Sequence, residues 1–181
     1  MLGLLSNVVV LLGLAGLTPV ASSPDSLDLA RVGSSPCCLT ADEALVVRIV
    51  NDERAARGLA ALELDPVLVQ VARGHSLDMA TRGYFDHLAP DPAPTTPVDR
   101  YSAALGREPE GVVGENIGRA DQPLMAVIHE RMMESESHKA NIVDSEYRRV
   151  GVGVYVLADG RAWVTEVFAG GLPTNAETSG G

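Results

Sequence analysis

The feature that most narrows the choice of fold is a late change of hydrophobic period. Earlier in the chain apolar residues recur at helical spacings of three and four. From residue 150 they alternate instead, as Val150, Val152, Val154 and Val156 separated by small or aromatic residues. A second β-rich run carries Trp163, Thr165 and Val167. Between the two runs lies Asp159-Gly160, a hairpin turn signal, because such turns need positive backbone φ that glycine accepts at little cost. The folded part is therefore expected to close in an antiparallel hairpin.

Ahead of that hairpin the helix signals are local and chemical. Thr40 and Glu43 have the spacing of a capping box, in which hydroxyl and carboxylate each satisfy a free backbone donor. Leu45, Val46, Ile49 and Val50 then mark one face, and Gly58 is expected to end the helix. Asp65 followed by Pro66 opens a second helix, with Leu68, Val71, Ala72 and Met79 on one stripe as far as Gly83. Pro90, Pro92, Pro94 and Pro97 forbid regular structure between Ala89 and Pro97, since each lacks an amide donor and restricts its predecessor. A short helix over Val98–Leu105 is expected next, then glycine-punctuated chain through Gly118, with Glu115 in a turn. After Asp121 and Pro123, the spacing of Leu124, Val127, Ile128, Arg131 and Met132 predicts a helix with that stripe buried.

The ends have a different composition. Leu2 to Ala21 is almost wholly apolar, which reads as an export signal over 1–23 with cleavage after Ser23, or as an uncleaved membrane anchor. A Ser-, Asp- and Gly-rich linker covers 24–39, the folded domain is expected over 40–170, and 171–181 is a small, polar tail expected to be disordered. Either reading of the first segment puts the domain outside the cytoplasm, secreted or anchored, with membrane contact only through that segment. Cys37 and Cys38 are adjacent and precede the first helix, so they form no disulfide framework. The net charge of -10 argues against a nucleic-acid partner, because phosphate binding draws its affinity from clustered Lys and Arg.

No HExxH or other compact metal motif occurs, so candidate chemistry has to be assembled from distant segments. YFDH at 84–87 brings His87, GENI at 114–117 brings Glu115, and SHKANI at 137–142 brings His138. These motifs, followed by Tyr147 and GVGV at 151–154, stand in the order and spacing of bacterial CAP domains, and the chain resembles that superfamily from about Leu45 to Phe168. The resemblance implies an α+β fold, an α-β-α sandwich with a small antiparallel sheet. It also implies a wide cleft holding two histidines and an acid, which fall here on His87, Glu115 and His138. A fourth, acidic position of many relatives aligns near Ser135. Met132 stands where many bacterial relatives carry tryptophan, Lys139 where arginine is frequent, and Glu136-Ser137 where Pro-Gly is usual.

Two imidazoles and a carboxylate have the chemistry to bind zinc or another divalent ion with an open coordination position. Without metal, Glu115 would orient one histidine and leave the other as general base of a cell-wall or peptide hydrolase. Ser76 and Ser135 qualify as nucleophiles by position only and are expected to be surface or capping residues. His75 and His129 are expected at the core edge or in solvent, although the His75-Ser76 pair leaves a second alignment open. The resemblance also admits a lipid or sterol carrier, with the proline loop as a lid, or an interaction module. Small molecules, lipids and cell-wall components are thus the partner classes in view.

Overall fold

The computed structural model of the protein describes residues 38–171. The export segment or anchor, most of the linker with Cys37, and the tail from 172 lie outside the described residues. Cys38 is exposed.

The element order is α1 (Ala41–Ala55), β1 (Glu63–Leu64), α2 (Pro66–Arg82), α3 (Pro97–Leu105), β2 (Val113–Ala120), α4 (Met125–Glu134), α5 (Glu136–Val143), β3 (Tyr147–Val156) and β4 (Ala162–Gly170). The starts of α1 and α2 follow the caps read from sequence. Thr40 Oγ1 accepts from the Glu43 amide at 3.2 Å while Glu43 Oε2 accepts from the Thr40 amide at 2.8 Å. Asp65 Oδ1 takes the amides of Val67 and Leu68, with Pro66 in the first turn. At α3 a second capping box joins Thr96 to Asp99, and Pro97 is its first residue. Helix α2 stops on left-handed Gly83 as expected, whereas α1 ends at Ala55 and leaves Gly58 to the turn behind it.

The strands form one sheet in the order β1-β3-β4-β2. β3 and β4 are the expected hairpin, and β2 adds antiparallel to β4 on its other side. The sheet is mixed rather than wholly antiparallel, because the two-residue β1 pairs parallel to β3. So short a strand carries no periodicity to read.

Successive strand residues point to opposite faces, and here the two faces hold separate cores. Val150, Val152, Val164 and Phe168 pack against Val46 and Val50 of α1, Ile128 and Met132 of α4 and Ile142 of α5. On the reverse face Val167 and Ala169 meet Leu68, Val71 and Ala72 of α2 and Tyr101 of α3. The α-β-α sandwich is thus formed, with β4 buried along its whole length. Each fully buried aliphatic side chain contributes about 1.5–3 kcal/mol to this arrangement. The Val-Gly alternation of β3 divides the work: its valines face the three-helix layer while Gly151 and Gly153 bare the backbone to α2. A Cβ on either glycine would lie 2.1 Å from the α2 backbone.

Several expectations require correction. The segment from Gly114 to Gly118 is strand β2, not a turn. Its glycines serve close approach, since a Cβ on Gly114 would meet the Tyr147 hydroxyl at 2.2 Å and one on Gly118 the Met132 methyl at 2.7 Å. Helix α4 buries Met125, Ile128, His129 and Met132, while Leu124, Val127 and Arg131 face outward. Period alone left the phase of that helix open; the gap above Gly118 decides it. His138 belongs to a separate short helix, α5. His75 and His129 are both buried, and neither ring nitrogen of His129 has a hydrogen-bond partner among the described residues. Ser76 is fully buried, donating to Gly153 O at 2.9 Å and lying 2.8 Å from Thr165 Oγ1, so it is neither a surface nor a capping residue.

Candidate functional site

β2 is an edge strand, and polar residues gather around it from both layers. Glu115 points to the α2/α3 side, in register with Val167. Its side chain is only 1% exposed. A buried carboxylate needs compensation, and a histidine and an arginine from different elements supply it. His87, in the loop behind α2, donates from Nδ1 to Glu115 Oε1 at 2.9 Å. Arg100, on α3, donates from Nη2 to Glu115 Oε2 at 2.6 Å. The same guanidinium donates from Nη1 to the carbonyls of His87 and Thr95. Arg100 therefore ties the proline loop, the His87 backbone and the carboxylate together.

His75 of α2 stands behind this pair. Its Nε2 lies 3.1 Å from Asp86 O, in donor geometry. The same atom is 3.7 Å from Glu115 Oε1, too far for a hydrogen bond. Tyr84 packs beside the ring and donates to Asp78 Oδ2 at 2.6 Å. YFDH is thus a brace: tyrosine and Asp86 hold His75, and His75 and Arg100 flank the carboxylate that His87 binds.

On the opposite face the asparagines of the other two motifs interlock. Asn116 Nδ2 donates to His138 O at 3.1 Å and to Glu166 Oε2 at 3.0 Å. Asn141 Nδ2 donates to Glu115 O at 3.1 Å and to Asn116 Oδ1 at 2.9 Å. GENI and SHKANI are fastened to each other through backbone carbonyls, which sets the α5 backbone at His138 relative to β2. The His138 ring lines a neighbouring pocket of about 140 Å³.

The histidines are pushed in opposite directions. Its hydrogen bond to Glu115 raises His87 above the ordinary imidazole value, so it favours the cation. Burial, and secondarily the charge of His87, lowers His138. Burial likewise lowers His75 and His129. The cleft therefore sets an imidazole whose cation is favoured beside one whose neutral form is favoured.

A family model described as "CAP: Cysteine-rich secretory protein family" matches residues 47–168. The chain belongs to the CAP family. It is 35% identical over 137 residues to the Bacillus subtilis (strain 168) protein YkwD, covering 76% of this chain and 50% of YkwD. Among solved CAP structures, an extracellular protein containing a SCP domain from Bacillus anthracis superposes with a TM-score of 0.60 at 29% identity, over 70% of this chain and 39% of that one. The chain thus spans about half the length of the curated relative and less of the solved one. NaASP2, solved with Zn2+, shares the CAP fold at a TM-score of 0.53 and 10% identity, over 72% of this chain and 80% of that one. No helix among the described residues is long and apolar enough to cross a membrane.

Of the three residues singled out from the CAP motifs, His87 and Glu115 are in direct contact, and His138 approaches from α5 without a hydrogen bond from its ring. Among the described residues no group of three or more His, Cys, Asp or Glu side chains is placed to hold a metal ion. The chemistry agrees: both Glu115 oxygens are engaged, one of them by a guanidinium that repels a second cation. This donor set does not fit a resident three-ligand metal. Sequence reasoning missed Arg100 and misplaced His75. The signal for Arg100 was the Thr96-Pro97-Asp99 helix start, which sets where the fourth residue of α3 falls.

Proposed function

We infer that this chain is an exported CAP domain that binds a small ligand at the cell envelope, in the cleft between His87 and His138. The observation carrying this reading is the buried Glu115 clamp, which orients His87 and favours its cation, beside a His138 whose burial favours the neutral ring. Such a pair offers an incoming polar group one donor of fixed direction and one imidazole free to accept. Glu115 and Arg100 position His87 rather than touch the ligand. The apolar segment at 1–23 and the extracellular relative from Bacillus anthracis support an extracytoplasmic setting.

Zinc binding is the finer reading that the zinc-bound neighbour suggests, and the Arg100 contact disfavours it. Titration calorimetry with zinc on wild type and on the His87→Ala/His138→Ala double variant is expected to give indistinguishable heats. A stoichiometric heat present only in wild type would restore the metal reading.

A hydrolytic reading has one specific support. Imidazoles whose pKa values are driven apart are suited to act as acid and base, here His87 and His138. Ser76 is unsuited as nucleophile, being fully buried and committed to Gly153 O and Thr165. Water would have to attack. Purified cell wall incubated with the same two proteins separates binding from hydrolysis, since release of soluble fragments by wild type alone would mark an enzyme.

A further inference from the structure

Beside His138 lies an open pocket whose walls the clamp at Glu115 leaves unused. It is lined by Phe85 from the α2–α3 loop, Arg119 of β2, Ile128, Arg131 and Met132 of α4, and His138 of α5, and encloses about 140 Å³. That volume admits a group of about benzene's size. Phe85 is 45% exposed, a large apolar ring held at the pocket wall. Met132, buried beneath it, supplies an apolar wall.

The charges around the pocket are unusual for this molecule. The chain carries a net charge of -10, and most of its described arginines are engaged by carboxylates or carbonyls, as at Arg54, Arg73, Arg82, Arg100 and Arg149. Arg119 and Arg131 have no carboxylate partner among the described residues; Arg119 only stacks over Trp163, 5.8 Å from its centroid. In an acidic protein two such cations on one small pocket make a local field opposite in sign to the whole. Guanidinium groups match carboxylates in a planar two-point geometry.

We propose that this pocket binds an amphipathic monocarboxylate, its acid held by Arg119 and Arg131 and its branched or aromatic body seated against Phe85, Ile128 and Met132. The ligand is either a free acid of that kind or the C-terminal residue of a peptide, which present the same chemistry. His138, shared by pocket and cleft, brings the bound acid next to His87. The inference rests on the cleft reading above and names the ligand class for it.

The test is a ligand titration of the full chain followed by amide NMR, with 4-methylpentanoate, N-acetylglycylleucine and the neutral 4-methylpentanamide as probes. Either acid is expected to bind about tenfold more tightly than the amide, as a charge-assisted contact implies. Tighter binding of the dipeptide assigns a peptide terminus, and equal or tighter binding of 4-methylpentanoate assigns a free acid. Arg119→Gln/Arg131→Gln should remove the preference over the amide. Met132→Trp, which fills the pocket, should abolish binding of all three probes while amide dispersion shows the fold intact. Arg131→Gln alone, on the exposed side of α4, guards against a double variant that fails to fold and should weaken the acids only. Equal binding of acid and amide, or no shift with any probe, overturns the proposal. Acid binding that survives these variants but is lost in His87→Ala/His138→Ala overturns the pocket and leaves the cleft reading standing.

Discussion

Glu115 and Glu166 lie on neighbouring strands, each buried, and on opposite faces of the sheet. Glu115 faces α2 and α3 and meets the Arg100 guanidinium and the His87 imidazole. Glu166 shares the other face with Asn116, whose amide donates to it; among the described residues its Oε1 has no partner. Two buried carboxylates thus have very different partners. Burial pushes Glu166 up to about 7, with the Asn116 hydrogen bond pulling weakly the other way. What a buried carboxylate does is decided by the partner the fold delivers to it, not by its distance from solvent.

The largest break in that comparison comes from removing the stronger partner. Arg100→Leu leaves Glu115 buried beside His87 alone, and loss of one member of a buried ion pair costs about 3–5 kcal/mol. Urea unfolding at pH 7 measures it, and adding Glu115→Gln to the same protein should recover most of the loss. A cost under about 1 kcal/mol would mean that Arg100 is only decorating the surface.

The next effect belongs to Glu166 and has the opposite sign from that of a carboxylate paired with a cation. Its folded pKa is above its unfolded value, so the folded state holds the proton more tightly. Stability is then greatest below the ordinary glutamate value of 4.5 and falls as pH rises through about 7. Glu166→Gln should therefore gain on wild type by about 3 kcal/mol at pH 8 and by little at pH 4. Thermal unfolding of both proteins across that range checks it; parallel profiles would refute the assignment.

The smallest effect is at His87, whose side chain is 46% exposed. Its raised pKa means that the pair with Glu115 contributes fully below the ordinary value of 6.5 and is lost as pH rises through the raised folded value. Solvent screening holds that contribution under about 1 kcal/mol. Imidazole NMR resolves it better than stability does: His87 should titrate above 6.5 and His138 below it, and Glu115→Gln should return His87 toward the ordinary value. Coincident titration of the two rings would remove the acid-base distinction drawn for the cleft.

The legible parts of this molecule are those governed by neighbours in sequence. Thr40 with Glu43, Asp65 with Pro66, and Gly83 announce helix ends because the groups they satisfy lie within four residues. The valine alternation announced β3 for the same kind of reason. Gly114 and Gly118 around Glu115 read as a turn because small residues permit tight backbone approach, whereas the approach they serve is that of Tyr147 and Met132, which are distant in sequence. The stripe of α4 was misphased because Leu124 and Val127 are as apolar as Met125 and Ile128, and only contact with β2 separates them.

By itself, then, the sequence determined α1 and α2 with their caps, the closing hairpin, the family, and which three motifs bear polar groups worth bringing together. Tertiary structure alone decided that Arg100 would occupy one side of Glu115, that His75 would be buried behind it, and that Glu166 would be left with a bare oxygen. Propensity and capping act over one helical turn, whereas the charge state of a buried group depends on whatever the packing of remote elements sets against it.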